Sequence, residues 1–199
     1  MTLQEQYDEH FGDILSKYSY IEGHAYLSEI TEETIKVMGE VCQPTNLLEI
    51  GFNAGHSTFA WLTLFPNLRL GSLDICKHKY TLPCVKKMQE LFGDRFKFGN
   101  VDSQKLKAGC YSDYDAVFID GDHSNEGVTH DYKTCSESGV KHIIIDDYDI
   151  FRYIRQLSKH IDESEHHPYK QINTYSYDNE LSGIGKLAKS ECVIFRRNA

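Results

Sequence analysis

The sequence predicts an α/β fold, a doubly wound and mostly parallel sheet with helices on both faces, and three observations carry that prediction. The stretch Asn46 to Ser57 reads as a buried strand, a tight glycine turn and a helix start in immediate succession. Short runs rich in Leu, Ile, Val and Phe then alternate with segments of helical period. Three of those later runs end in aspartate, at Asp74, Asp120 and Asp146. With 199 residues, 40% of them hydrophobic, and four prolines, the chain has the size of one domain whose sheet is covered on both sides. The expected organisation is a single domain over 1–199, with 1–40 as a helical cover and 46–195 as the core.

Leu3, Tyr7, Phe11, Ile14 and Tyr18 recur at helical spacing and predict an amphipathic helix with an acidic outer face. Thr31, followed by Glu32 and Glu33, reads as an N-cap with acids in the first turn, and Ile35, Met38 and Val41 share one face up to Pro44. Leu47, Leu48 and Ile50 form the first strand, and the helix beginning at His56 turns Phe59, Leu62 and Leu64 to one side. Leu68 to Leu73 is the second strand. Thr81-Leu-Pro opens the next helix as N-cap and first turn, Val85, Met88 and Leu91 face inward, and Gly93 stops it. Phe96 to Phe98, Asp115 to Ile119 and His142 to Ile145 are the third, fourth and fifth strands. Between and after the last two lie helices over Ser124 to Cys135, with Val128, Tyr132 and Cys135 inward, and over Ile150 to Ile161, with Phe151, Ile154 and Leu157. Two strand-like stretches, Gln171 to Tyr175 and Cys192 to Phe195, close the chain around a loop carrying Gly183 and Gly185.

In the first turn Gly51, Asn53 and Gly55 are expected to leave unpaired backbone N–H groups beside bare glycine backbone, which makes a nucleotide cradle. Glu49 precedes the first glycine at the mouth of a buried strand. A carboxylate there needs a donor to offset its desolvation, and a ligand amine or hydroxyl would serve. Asp74, at the carboxyl end of the second strand and about 20 residues past the turn, stands where a mononucleotide fold accepts hydrogen bonds from ribose hydroxyls.

The string Glu49-Ile-Gly-Phe-Asn-Ala-Gly-His-Ser57 after an apolar strand resembles motif I of the class I S-adenosylmethionine (SAM)-dependent methyltransferases. The nearest branch is that of the cation-dependent small-molecule O-methyltransferases, which act on catechols and sugars. The resemblance covers roughly 31 to 195 and implies a Rossmann-like, seven-stranded, mostly parallel sheet with an antiparallel last strand. It implies SAM as cofactor, held by Glu49, Gly51, Phe52, Asn53, Gly55, Ser57, Asp74 and Asp120, with Val101 and Asp102 closing over the adenine. It also implies that the N-terminal helical layer lies over the active site or at a subunit contact, the latter compatible with a homo-oligomer.

The chemistry is expected at two strand ends, Asp120-Gly-Asp-His123 and Asp146-Asp147. In a doubly wound sheet ligands bind beyond the carboxyl ends of the strands, and neighbouring strands lie close, so three carboxylates converge. Left alone they repel, and a bound hard cation removes the conflict. Asp120, Asp146 and Asp147 match the metal-binding acids of the resembling family and are the expected Mg²⁺ ligands. His123 is the expected general base, since imidazole titrates near neutrality; the catechol enzymes carry a lysine there. Asp122 is the fallback. The expected acceptor is a small molecule with vicinal hydroxyls, a sugar or nucleotide sugar before a catechol, and Tyr175 and Tyr177 are candidate sugar contacts.

The formal charge of −9 argues against a nucleic-acid partner, which usually meets a basic stripe. With no bilayer-length apolar run and no basic-then-apolar leader, no membrane partner is expected and the chain should be cytoplasmic. The six scattered cysteines read as reduced residues of core and surface. Two other classes compete: a SAM-fold protein that binds nucleotide without catalysis, and an NAD-dependent oxidoreductase, which the lack of G-x-G-x-x-G spacing disfavours.

Overall fold

The structure is a computed structural model and describes residues 1–22, 26–147, 152–164, 167–179 and 188–198. Among these residues seven strands form one sheet: β1 (Asn46–Ile50), β2 (Arg69–Asp74), β3 (Phe96–Asn100), β4 (Ala116–Ile119), β5 (His142–Ile145), β6 (Tyr169–Asn179) and β7 (Ala188–Arg197). Their order is β3-β2-β1-β4-β5-β7-β6. The first five pair in parallel, β7 runs antiparallel to β5, and β6 pairs antiparallel with β7. This is the doubly wound sheet expected, with longer terminal strands than the apolar runs suggested. Gly183, Gly185, Ile150 and Phe151 lie outside the described residues, as does most of the loop between the last two strands.

Among the described residues six α-helices flank the sheet: α1 (Leu3–Leu15), α2 (Glu29–Cys42), α3 (His56–Leu64), α4 (Thr81–Phe92), α5 (Asn125–Ser138) and α6 (Arg152–Glu163). Alternation along the strands divides the core in two. Leu47, Phe118, Ile144 and Ile194 point to the side of α1 to α4, where Tyr7, Met38, Phe59 and Met88 meet them. Leu48, Ile50, Val117, Ile143 and Phe195 point to the other side, against Val128, Tyr132 and Cys135 of α5 and Ile161 of α6.

Several helix ends differ from the sequence reading. Ser28 rather than Thr31 is the N-cap of α2, its hydroxyl accepting the Thr31 N–H, because the helix begins one turn earlier. Val41 is 39% exposed while Cys42 is buried, and the helix stops there on a left-handed Gln43. Tyr80 rather than Thr81 precedes α4 and gives no side-chain cap, and Thr81 is buried. Helix α1 closes at Leu15, before Tyr18, whose hydroxyl instead donates to the Lys79 carbonyl.

Two glycines show where space decides the residue. Gly51 has φ +102°, and a Cβ there would lie 2.0 Å from the Asp120 carbonyl oxygen, so a side chain would part the ends of β1 and β4. Gly12, inside α1, has nothing within 4 Å of the same position. Gly51→Ala is expected to cost about 3 kcal/mol or more of stability in urea denaturation. Gly12→Ala is expected to raise stability by about 0.5–1 kcal/mol through helix propensity.

Candidate active site

The carboxyl ends of β1, β2, β4 and β5 open into a cleft of about 960 Å³. Its centre is the turn after β1. Asn53 takes φ +50° and Gly55 φ +86°, and the turn is drawn tight by its own bonds. The Gly51 N–H donates to the Leu73 carbonyl at 2.8 Å and the Gly55 N–H to the Phe52 carbonyl at 2.7 Å. The N–H groups of Phe52 and Asn53 donate to Asp74 Oδ2 at 3.0 and 2.9 Å, and Cys76 N–H to Asp74 Oδ1 at 2.6 Å. The expectation of unpaired N–H groups is therefore corrected at these four positions. Asp74 is a brace for the turn as well as part of the cleft wall, because its strand ends level with the glycines.

Glu49 is corrected more sharply. Period-two alternation turns it to the α3 side, where it has no solvent exposure and no place in the cleft wall. Its donors come from the protein: Ser57 Oγ at 2.6 Å, Ser72 Oγ at 2.7 Å and the Thr58 hydroxyl in a short bond. Burial drives its pKa up to about 7 against the pull of those hydroxyls. No ligand donor is needed to explain it.

The other residues expected to hold the cofactor line the cleft near the turn. Ser57 faces the cleft while its hydroxyl serves Glu49. The Phe52 ring is buried against Phe96 and Phe98, leaving its backbone to line the cavity. The Val101 N–H donates to the Asp74 carbonyl at 3.1 Å and its side chain is 37% exposed at the mouth. Asp102 Oδ1 accepts the Gln104 N–H at 3.1 Å, capping a short 3-10 turn over Ser103–Lys105.

The N-terminal layer is tied to the same turn, through contacts that no local pattern shows. The Tyr7 hydroxyl donates to the Ala54 carbonyl at 2.7 Å, and its ring stacks on His56, whose pKa burial lowers to about 3. The Tyr80 hydroxyl donates to Asn53 Oδ1 at 2.6 Å, Asn53 Nδ2 donates to the Glu22 carbonyl at 2.8 Å, and the Glu22 carboxylate pairs with His78.

At the other end of the cleft, Ile119 and Ile145 are direct partners in the sheet, so Asp120 and Asp146 emerge side by side. Asp147 follows in a left-handed conformation at φ +57°, rare for a residue with a side chain, which turns its carboxylate back toward β4. The His123 ring lies between the two loops, with Nε2 3.3 Å from Asp120 Oδ1 and Nδ1 3.1 Å from Asp147 Oδ2. Cys192 of β7 places its thiol 2.8 Å from Asp146 Oδ1, a contact the sequence reading missed because a strand cysteine looks like any core residue.

The electrostatics follow from this crowding. Removal from water, and then the neighbouring acids, raise both Asp120 and Asp146, with the His123 bond holding Asp120 down and the Cys192 bond holding Asp146 down. Burial opposes the charge on His123, but the Asp120 bond and the charges of Asp120, Asp147 and Asp146 outweigh it and raise the ring to about 9. At neutral pH the ring is therefore an imidazolium, and the expectation that it titrates near neutrality is corrected. Asp122 is exposed, and its Oδ1 accepts the Ser124 N–H at 2.9 Å at the start of α5.

The donor chemistry suits a hard cation: three carboxylates face one positive charge, and their mutual repulsion is written in the raised acids. Their placement does not enclose one. Among the described residues no three His, Cys, Asp or Glu side chains converge on a common point, and the imidazole takes up the space between Asp120 and Asp147. The side chains of Tyr175 and Tyr177 lie outside what the structure describes. None of the six cysteines is in a disulfide, and among the described residues no helix is long and apolar enough to cross a membrane.

A methyltransferase-domain family profile matches residues 48–148. No curated protein matches the chain in sequence. Among solved structures, the chain resembles an O-methyltransferase from Bacillus cereus in complex with S-adenosylhomocysteine (SAH), at 15% identity and TM-score 0.64, over 96% of this chain and 91% of that one. It also resembles an SAH-bound methyltransferase from Podospora anserina, at 14% identity and TM-score 0.63, over 96% and 87%. A third is the SAM-bound magnesium protoporphyrin IX methyltransferase from Synechocystis, at 11% identity and TM-score 0.61, over 100% and 98%. The chain belongs to this methyltransferase-domain family, and its fold is that of the class I SAM-dependent methyltransferases.

The Glu49 environment makes a pH prediction. Folding raises this carboxyl from 4.5 to about 7, so the folded chain holds the proton across that interval. The stability contributed by protonated Glu49 is full below pH 4.5 and is lost as pH rises through about 7. Urea denaturation at pH 5 and pH 8 is expected to show wild type losing on the order of 2–3 kcal/mol more than Glu49→Gln across that range.

Proposed function

We propose that the protein is a SAM-dependent O-methyltransferase acting on a hydroxyl of a small diol-bearing acceptor. The observation that carries this reading is the charge of the cleft. Its described wall contains Glu22, Asp74, Asp102, Asp120, Asp122, Asp146 and Asp147 against Lys77 and the His123 imidazolium. A sulfonium cation is attracted into such a field, whereas a pyrophosphate would meet carboxylates and a turn whose N–H groups at Gly51, Phe52, Asn53 and Gly55 are already taken. NAD is disfavoured on both counts. The same field favours a neutral sugar over a nucleotide sugar among the acceptors, and a catechol is the alternative diol.

In this reading the cofactor lies along the turn, between Asp74 and Val101–Asp102, with its methyl group toward the ends of β4 and β5. The acceptor lies beside His123. Transfer forms an O–CH₃ bond and breaks the S–CH₃ bond, and the hydroxyl proton passes to the neutral form of the imidazole. The three acids keep that ring protonated in the empty cleft, and a bound sulfonium weakens their hold, so the base becomes available as the substrates assemble. Asp120 orients the ring through Nε2. Alignment of the hydroxyl with the S–CH₃ bond supplies much of the remaining rate.

Asp120, Asp146 and Asp147 would hold a divalent cation such as Mg²⁺ only once the His123 ring leaves the space between Asp120 and Asp147, and the excess of carboxylate over positive charge supports that assignment. Such an ion supplies Lewis acidity that lowers the pKa of a coordinated hydroxyl.

Two measurements test this. With SAM and a panel of sugars, nucleotide sugars and catechols, SAH release is expected with a neutral diol. Its kcat/KM should rise with pH along a limb whose midpoint lies above the ordinary histidine value of 6.5. His123→Ala should lower kcat by about 10² and abolish that limb. Wild-type turnover in this variant would pass the role to Asp122 or solvent. Asp146→Ala is expected to abolish stimulation by Mg²⁺ while leaving the SAM dissociation constant within about threefold. Unchanged stimulation would remove these acids from any cation site.

A further inference from the structure

Asp131 is a carboxylate with no solvent exposure, two turns into α5 and absent from the cleft wall. Its neighbours along the inner face of that helix are Val128, Tyr132 and Cys135, all buried in the apolar core between α5 and the sheet. A buried charge in such company costs several kcal/mol, and an apolar residue of similar size would fill the space without that cost. Something must hold the charge there, and the bonds show what. Asp131 Oδ2 accepts from Ser103 Oγ at 3.2 Å and Oδ1 from Gln104 Nε2 at 3.1 Å. Gln104 Nε2 also lies 3.3 Å from the Gly127 carbonyl oxygen, one turn earlier on α5.

Ser103 and Gln104 belong to the stretch that follows β3, and Val101, Asp102, Ser103 and Gln104 all line the cleft. The near end of this stretch is fixed to β2 through the Val101 N–H and the Asp74 carbonyl. The far end has its anchor in α5. We propose that Asp131 is a positioning residue, which sets the cofactor-side wall of the cleft by pinning Ser103 and Gln104 from behind. The proposal rests on the reading of this cleft as a SAM site. Burial raises the Asp131 pKa to about 6, so the group remains an ionised acceptor at neutral pH. The wall it holds is formed by the stretch after β3 and includes neither His123 nor the acids at the ends of β4 and β5, so its loss should act chiefly on cofactor binding.

Calorimetry with SAM and steady-state kinetics on wild type, Asp131→Ala, Asp131→Asn, Gln104→Ala and the Asp131→Ala/Gln104→Ala pair test this. Asp131→Ala is expected to raise the Kd and KM for SAM about tenfold with kcat within about twofold. Asp131→Asn keeps the shape and an acceptor oxygen for Gln104 and should recover most of the affinity; Gln104→Ala, which removes the same bond from the loop side and should also weaken SAM binding, carries the test should Asp131→Ala not fold. If the acid acts through Ser103 and Gln104, the pair should lose less SAM affinity than the sum of the two single losses. Additive losses, or a fall in kcat with KM for SAM unchanged, would overturn the proposal. Absence of SAM binding by wild type would sink the cofactor reading itself, whereas wild-type binding matched by Asp131→Ala and Asp131→Asn would sink the positioning role alone.

Discussion

The interaction on which the cleft depends is the seat of the His123 imidazolium among Asp120, Asp147 and Asp146. Three carboxylates brought together at the rim of a sheet would spread apart or take up protons. The ring, fixed within 3.3 Å of Asp120 and 3.1 Å of Asp147, lets them stay. It neutralises one charge and leaves the cluster net negative, a field that in the function proposed above would favour the sulfonium of a methyl donor. The property that makes the ring a stable partner in the empty cleft also makes it a weak base there. In the proposed reaction, substrate binding and base activation would thereby be linked through one field.

That field exists because of backbone geometry. Parallel pairing in register carries β1, β4 and β5 to the same level, and the absence of a side chain at Gly51 allows the first turn to lie against the Asp120 carbonyl. Glu49, locked beneath by Ser57, Thr58 and Ser72, joins β1, β2 and α3 at the base of the cleft. Asp74 binds the turn from the side. Both acids that look like ligand contacts in the sequence spend hydrogen-bonding capacity on the scaffold, and the binding surface they shape is an acidic wall with few free donors.

What the sequence made legible was whatever local pattern or alternation determines. The order of strands and helices, the glycine turn and the emergence of Asp120 and Asp146 side by side all follow from apolar runs, turn residues and the pairing of neighbouring strand ends. What it hid were partners distant in the chain. Nothing near Glu49 announces Ser72, nothing near Asp146 announces Cys192, and the link from Glu22 through Asn53 to Tyr80 depends on how the N-terminal layer crosses the cleft. The charge state of His123 was misjudged for the same reason: the composition of a histidine's surroundings is set by folding, and a free imidazole is the wrong reference once three acids surround it. Helix ends erred by a turn where a second capping residue, Ser28, lay just upstream.

The central claim is that His123 is held protonated by the carboxylates around it and that they answer to a cationic cofactor. Its most direct test is an NMR titration of the His123 ring in the ligand-free protein and in the SAM complex. The account predicts a ring pKa well above the ordinary 6.5, near 9 when free, falling when SAM is bound and falling also in Asp120→Asn. A ring that titrates at or below 6.5 in the free protein, or one indifferent to SAM, would contradict it.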